Sequence, residues 1–136
     1  MLRHRDHVLW EQINSAFVRV MMVHRSPLEV VSEYQDAWTR RDFDAAAMFI
    51  ADDIVFDTPQ QHLSTVARFL PMIMAFAQRV EPRWELISAT PGTDSVLLLY
   101  RLFTTNGDPA LCADFFTVRN GKITAEQLTF DPAPFR

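Results

Sequence analysis

Glu126 is the residue of this chain whose surroundings most favour acid–base chemistry. It alternates with Leu128 and Phe130 near the end of the chain, and in a strand this spacing places the three side chains on one face. A carboxyl group among apolar side chains has its pKa raised by desolvation, which suits it to proton transfer near neutral pH. Glutamates on strands are, however, mostly exposed. Glu126 is therefore either a general acid or base, or a hydrated side chain at an open rim.

Other potentially reactive residues have simpler interpretations. His4 and His7 are spaced like metal ligands but have no matching partners. His62 could carry protons, although a single loop histidine is usually solvated. The one cysteine, Cys112, cannot form an internal disulfide, and we expect a buried thiol in a reducing compartment. All three glycines lie in turn signals, so no phosphate-binding loop is present. We expect no metal and no cofactor.

The composition indicates one globular domain with an ample core. The chain has 136 residues, of which 49% are hydrophobic and 12% aromatic, and domains commonly have about 100–200 residues. A net charge of −4 with scattered positive charges predicts no nucleic-acid surface, because phosphate binding needs a clustered basic face. No apolar run approaches the roughly 20 residues that span a membrane, and polar residues interrupt any signal-peptide core. We therefore expect a cytoplasmic protein.

Cap and turn signals set the order of the elements. Residues 1–25 form an extension, predicted to be an amphipathic helix over roughly residues 5–22. The domain, 26–136, starts at Ser26, where a capping box with proline at the first helical position begins a helix. Asp42 caps a second, short helix. Further predictions are a strand over Ile54–Asp57, a helical region over Ser64–Val80 that Pro71 kinks or splits, and strands over Trp84–Ala89, Val96–Thr104, Leu111–Val118 and Ile123–Phe130.

The turn positions predict which strand residues share a face. Asn120-Gly121 as a two-residue turn pairs Phe115 with Glu126, which places both on the same face of the sheet. Since Pro109 cannot donate to a ladder, a four-residue loop from Asn106 to Pro109 is expected.

That loop sets Arg101 opposite Asp114, and we expect an ion pair between them on the outer face. A β-bulge would shift part of this assignment. Val96–Tyr100 is apolar on both faces, and helices can cover only one of them. The outer face is therefore predicted to bind a second subunit in a homodimer.

The chain resembles the nuclear transport factor 2-like superfamily, in particular its SnoaL-like (polyketide cyclase) and ketosteroid isomerase branches. The resemblance covers residues 26–131 and rests on Tyr34, Trp38, Asp42, Ala51-Asp52-Asp53, Pro59, Asn120-Gly121-Lys122-Ile123 and Phe130-Asp131. It implies a cystatin-like α+β cone, with N-terminal helices packed on a curved antiparallel sheet around a pocket. The pocket residues that it implies are Tyr34, Trp38, Phe56, Thr58, Tyr100, Phe115, Leu128 and Phe130.

The resemblance also tests the catalytic interpretations. Tyr34 falls on the oxyanion tyrosine of the ketosteroid isomerase pattern, but the position of its base is Thr58. Asp57 is one residue early and needs a bulge to reach the pocket. The working pair of an enzyme would be Glu126 and Tyr34, with Asp57 in reserve. Three functions stay open: binding of a small apolar molecule, acid–base catalysis on a carbonyl or polycyclic substrate, and a dimerisation module with a filled core.

Overall fold

The computed structural model describes residues 11–14, 16, 25–105 and 107–135. Residues 11–14 and 16 are helical, and the rest of the helix predicted over roughly 5–22 lies outside the described residues. The elements that follow are α1 (Pro27–Thr39), α2 (Phe43–Ala47), β1 (Ile50–Asp57), β2 (His62–Ser64), α3 (Val66–Val80), β3 (Arg83–Pro91), β4 (Ser95–Phe103), β5 (Ala110–Arg119), β6 (Lys122–Phe130) and a 3-10 turn (Ala133–Phe135).

The helix starts are those that the sequence predicts. The Ser26 hydroxyl accepts a hydrogen bond from the Glu29 backbone N–H at 3.2 Å. The Asp42 carboxylate accepts one from the Ala45 N–H, also at 3.2 Å. Each cap satisfies a backbone donor that has no partner within its helix. The third helix differs from the prediction, because Pro71 does not split it and because β2 occupies the residues where it was expected to begin.

The six strands form one sheet in the order β2-β1-β6-β5-β4-β3. Neighbouring strands are antiparallel, except that β1 runs parallel to β6. This pairing places the strand after the first helices beside the last strand of the chain. The tight turn between β5 and β6 is as predicted, with Asn120 and Gly121 both at positive φ, 52° and 73°. Both central residues of a type I′ turn need this conformation.

The predicted register of β5 is wrong. Arg101 pairs with Leu111, and Asp114 pairs with Leu98, because the β4–β5 connection spans 104–109 instead of Asn106–Pro109. The β5–β6 ladder also shifts by one residue between Thr117 and Val118, as a β-bulge does. Each of these pairings is displaced from the predicted one by an odd number of residues. Such a displacement turns a strand's side chains to the other face.

The helices cover one face of the sheet. Tyr34 of α1 packs edge-on against Phe116 of β5, with ring centroids 6.3 Å apart, and Phe69 of α3 lies 5.1 Å from Phe56 of β1. The opposite face keeps large apolar side chains exposed, namely Leu97, Leu111 and Phe115 of β4 and β5. No helix among the described residues is long and apolar enough to cross a membrane.

Candidate functional site

A cavity of about 600 Å³ lies between the helices and the covered face of the sheet. This volume is within the range of about 300–1,000 Å³ that is usual for small-molecule sites. Its wall is mostly aromatic and aliphatic. The lining residues are Tyr34, Trp38, Phe56, Thr58, Gln60, Gln61, Met72, Ile73, Ala75, Phe76, Arg79, Tyr100, Leu102, Cys112, Glu126, Leu128, Phe130 and Pro132.

Two carboxyl groups lie together at the inner wall. Glu126 lines the cavity and is 5% exposed, whereas Asp114 is fully buried beside it and does not line the cavity. Phe116 is the direct cross-strand partner of Glu126, and Asp114 is the residue two positions before it on the same face of β5. Diagonal neighbours of this kind are within reach of long side chains. Each carboxyl shifts the pKa of the other, so the two groups are close enough for a hydrogen bond between them.

The bond between the carboxyls requires a proton. Asp114 Oδ1 meets no permanent donor among the described residues, and a carboxylate is an acceptor only. Asp114 and Glu126 can therefore bond to each other only when one of them is protonated. On its other side, Asp114 Oδ2 accepts a hydrogen bond from the Tyr100 hydroxyl at 2.7 Å. Tyr100 thus favours the ionised form of Asp114 and leaves the shared proton on Glu126.

Burial raises the pKa of both carboxyls, and the charge of Asp114 raises that of Glu126 as well. Desolvation raises the pKa of Asp114 from 3.8 to about 7, although the hydrogen bonds from Glu126 and Tyr100 lower it in part. Desolvation, followed by the charge of Asp114, raises the pKa of Glu126 well above its ordinary value of 4.5. The pair therefore titrates as a unit, with its first ionisation near neutral pH.

The neighbouring hydroxyl and thiol groups stay protonated. Burial, then the charges of Glu126 and Asp114, raise the pKa of Tyr34 well above 10.0. Burial likewise raises the pKa of the Cys112 thiol to about 12. At neutral pH Tyr34 is therefore a hydrogen-bond donor at the cavity wall, and Cys112 is a poor nucleophile because the thiolate is the reactive form.

The structure brings most of the predicted site residues together. Tyr34, Trp38, Phe56, Thr58, Tyr100, Glu126, Leu128 and Phe130 all line the cavity. Phe115 does not, because β5 has the opposite face inward, and its side chain is 39% exposed on the outer face. The expected ion pair of Asp114 with Arg101 is also wrong for this reason.

Asp57 lies outside the cavity. Its carboxylate bonds to His62 Nδ1 across the β1–β2 pairing, and its side chain is 40% exposed. The next residue, Thr58, lines the cavity instead, as strand alternation requires. The bulge that would have turned Asp57 inward is not present between β1 and β2.

Sequence analysis missed the position of Asp114 and the polar residues at the outer part of the cavity. Asp114 was assigned to the wrong face; its neighbours Cys112 and Phe116 on one face of β5 were a weak signal, since the other face is apolar too. Gln60, Gln61 and Arg79 line the outer part of the cavity, where loops and a helix end meet. Such contacts between distant segments have no local sequence pattern.

The described residues contain no group of three histidine, cysteine, aspartate or glutamate side chains that could hold a metal ion. His4 and His7, the pair with metal-ligand spacing, lie outside the described residues. Among the described residues, the Asp114–Glu126 pair and the tyrosine hydroxyls are the groups suited to acid–base chemistry at the cavity.

Helices covering one face of a curved six-stranded sheet, with a cavity between the two layers, define an α+β cone of the nuclear transport factor 2 type. The family model of the SnoaL-like domain matches residues 31–126. The chain belongs to this family.

Solved structures with the same architecture support the fold. A protein from Kribbella flavida is 30% identical, with a TM-score of 0.75 over 81% of this chain and 90% of that one. A nuclear transport factor 2-like protein of unknown function from Cytophaga hutchinsonii is 20% identical, with a TM-score of 0.71 over 82% and 96% of the two chains.

An LEH-like epoxide hydrolase from M. tuberculosis is 19% identical, with a TM-score of 0.69 over 78% of this chain and 83% of that one. Identities this low show a shared fold and leave the reaction open. No protein of curated function matches the chain.

Proposed function

We propose that this protein is a cofactor-independent acid–base enzyme that binds a small, largely apolar carbonyl compound and moves a proton with Glu126. The observation that carries this proposal is the buried carboxyl pair, of which Glu126 faces the cavity. Burying two carboxyls without a cation is costly, and apolar side chains would stabilise the same position better. Proton transfer explains why such a pair opens on a cavity.

The pair has the proton affinity that a base needs. Near pH 7 the pair passes from two protons to one proton and one negative charge, because the pKa of Asp114 is about 7, and burial also raises the pKa of Glu126 well above its ordinary value. Its shared proton passes to Asp114 while Glu126 removes a proton from the carbon beside the substrate carbonyl. A base whose pKa is close to the working pH is the most effective one.

Tyr34 supplies the second part of the mechanism. As the carbon–hydrogen bond breaks, its electron pair forms the enolate, and the negative charge develops on the carbonyl oxygen. The Tyr34 hydroxyl lines the cavity and stays protonated, so it can donate a hydrogen bond to that oxygen. The Tyr100 hydroxyl is already bonded to Asp114. Return of the proton to the α-carbon restores substrate and pair, whereas in a β,γ-unsaturated carbonyl compound its return to the γ-carbon of the dienolate gives the conjugated isomer and restores the pair.

Exchange of ketone hydrogens for deuterium tests the proposal without knowledge of the substrate. The protein is incubated in D₂O with a panel of aryl and alicyclic methyl ketones, such as 2-acetonaphthone, and loss of the α-hydrogen signal is followed by proton NMR. We expect wild-type protein to accelerate exchange and Glu126→Gln to lower the rate by about 10²–10⁴-fold. The control Asp57→Asn removes a carboxylate outside the cavity and should leave the rate unchanged.

The remaining functions give different results in this assay. A binding protein without catalysis would bind the ketones and leave exchange at the uncatalysed rate. A dimerisation module with a filled core would bind none of the ketones. The cavity of about 600 Å³ argues against a filled core. Equal exchange rates for wild type and Glu126→Gln would overturn the proposed role of the pair.

We also propose that the uncovered face of the sheet forms a homodimer. Leu97 is 42% exposed, Leu111 53% and Phe115 39%. Leu97 pairs directly with Phe115, and Leu111 lies four residues before Phe115 on the same face of β5, with the Leu99–Ala113 pair between them. Contiguous exposed apolar side chains usually mark an interaction surface. Sedimentation should give a dimer at micromolar concentration, and Leu111→Glu should give a monomer. A wild-type monomer under these conditions would refute the interface.

A further inference from the structure

Arg79 is the only cation among the described residues that line the cavity. It lies on α3, on the helix face that also presents Met72 and Phe76 to the cavity. These positions are three and four residues apart, so they form one stripe along the helix. An apolar molecule lying along Met72 and Phe76 therefore ends beside the Arg79 guanidinium.

The Arg79 guanidinium has no acidic partner among the described residues. Arg25, Arg40 and Arg41 each form an ion pair with a glutamate or aspartate, whereas the recorded contact of Arg79 is with the Phe76 ring, 5.8 Å from its centroid. Its side chain is exposed, at the solvent end of the cavity. The five donors of this group are thus available to a ligand.

Other polar groups of the cavity wall also favour an anion. Thr58, Gln60 and Gln61 line it and supply neutral hydroxyl and amide donors. Among the described residues that line the cavity, the one acid is Glu126, which is buried at the inner wall and whose pKa is raised well above its ordinary value by desolvation. The cavity entrance is therefore positive although the protein as a whole has a net charge of −4.

We infer that the ligand of this cavity is an apolar carboxylic acid, whose carboxylate binds Arg79 at the entrance while its apolar body reaches the inner wall. The inference rests on the proposed function, because it names the substrate class of the same site. A planar guanidinium matches a carboxylate by two parallel hydrogen bonds. One cation in a cavity wall whose other exposed polar groups are neutral suits one negative charge. The substrate is then a carbonyl compound that also carries a carboxylate, with the two groups at opposite ends.

Two matched probes test this charge recognition. 2-Naphthylacetate and 2-naphthylacetamide have the same ring system and differ in the charge of the end group, and their binding can be measured by calorimetry at pH 7.5, roughly three units above the ordinary pKa range of a carboxylic acid. We expect wild-type protein to bind the carboxylate about three- to tenfold more tightly than the amide, as is usual for a partly exposed charge-assisted contact.

Variants separate recognition from structure. Arg79→Met keeps a long apolar stem and should remove the preference for the carboxylate without weakening binding of the amide. Arg79→Lys keeps the positive charge and should keep part of that preference. The matched control is Arg83→Met, because Arg83 also packs on a ring, 4.2 Å from the centroid of Phe103, but does not line the cavity. This control should keep the full preference.

Three outcomes would overturn the inference. The first is equal affinity of wild type for the two probes, and the second is an equal loss of affinity for both probes in Arg79→Met. The third is the absence of saturable binding of 2-naphthylacetate up to millimolar concentration. The deuterium exchange assay distinguishes this failure from failure of the proposed function. Exchange that depends on Glu126 without a carboxylate preference refutes the inference alone. A preference that depends on Arg79 without exchange supports the recognition of a carboxylate and refutes the catalysis.

Discussion

Raising the pH should destabilise the folded protein through its buried carboxyl pair. In the folded state, the pKa values of Asp114 and Glu126 are raised, because burial disfavours their charged forms. In the unfolded chain, both groups are solvated and ionise near their ordinary values. At pH values between the ordinary pKa of the unfolded chain and the raised pKa of the folded state, the folded state binds more protons than the unfolded state. The stability of the folded state therefore falls as the pH rises.

The size of the effect follows from the pKa of Asp114. Its rise from 3.8 to about 7 spans roughly three pH units, and each unit corresponds to about 1.4 kcal/mol. This stabilisation is fully present below pH 3.8 and is lost by about pH 7, a change of about 4 kcal/mol from Asp114 alone. Glu126 adds to it in the same direction. Since small domains are stable by about 5–15 kcal/mol, the effect should be easy to measure.

Urea unfolding at several pH values between about 4 and 8 measures this dependence of the free energy of unfolding on pH. The double variant Asp114→Asn, Glu126→Gln has nearly the same shape and two fewer ionisable groups, so its stability contains every pH effect except that of the pair. We expect the free energy of unfolding of wild type to fall relative to the variant as the pH rises. Parallel curves, or a wild type that gains stability relative to the variant, would refute the buried pair and the mechanism built on it.

Three further changes test particular contacts. Tyr100→Phe removes the hydrogen bond that lowers the pKa of Asp114, so the rise of deuterium exchange with pH, centred near 7 in wild type, should move up by as much as about one unit; an unchanged midpoint would contradict this. Ser26→Ala removes a helix cap and should cost about 1 kcal/mol in urea unfolding, whereas Ser32→Ala, within the same helix, should cost less. Phe69→Ala empties a fully buried position and should cost about 3–5 kcal/mol, and a loss below 1 kcal/mol would show that Phe69 is not in the core.

Local signals of the sequence were sufficient for much of the fold. Ser26 and Asp42 begin helices because their side chains satisfy backbone donors within three residues. Asn120-Gly121 forms a tight turn because both residues tolerate positive φ. The faces of β4 and β6 followed from alternation, and Glu126 lines the cavity as expected.

Only the tertiary structure decided the face of β5. Side chains alternate between the two faces of a strand, so the sequence gives two sets of β5 residues but not which set faces the helices. Because both sets of β5 are apolar, either could do so, and the choice depends on how β5 pairs with its neighbours. The long 104–109 connection and the bulge beside Thr117 fix this pairing, and with it the orientation of the β5 side chains. They turn Asp114 inward, beside Glu126, and Phe115 outward.

The sequence by itself thus determined the elements and their order, because helix caps and tight turns act over a few residues. The tertiary structure decided which groups share the cavity. The Asp114–Glu126 pair depends on a one-residue shift between strands, and the position of Arg79 depends on where a helix ends over the sheet. Both are relations between segments that are distant in the chain, and only the packed structure fixes them.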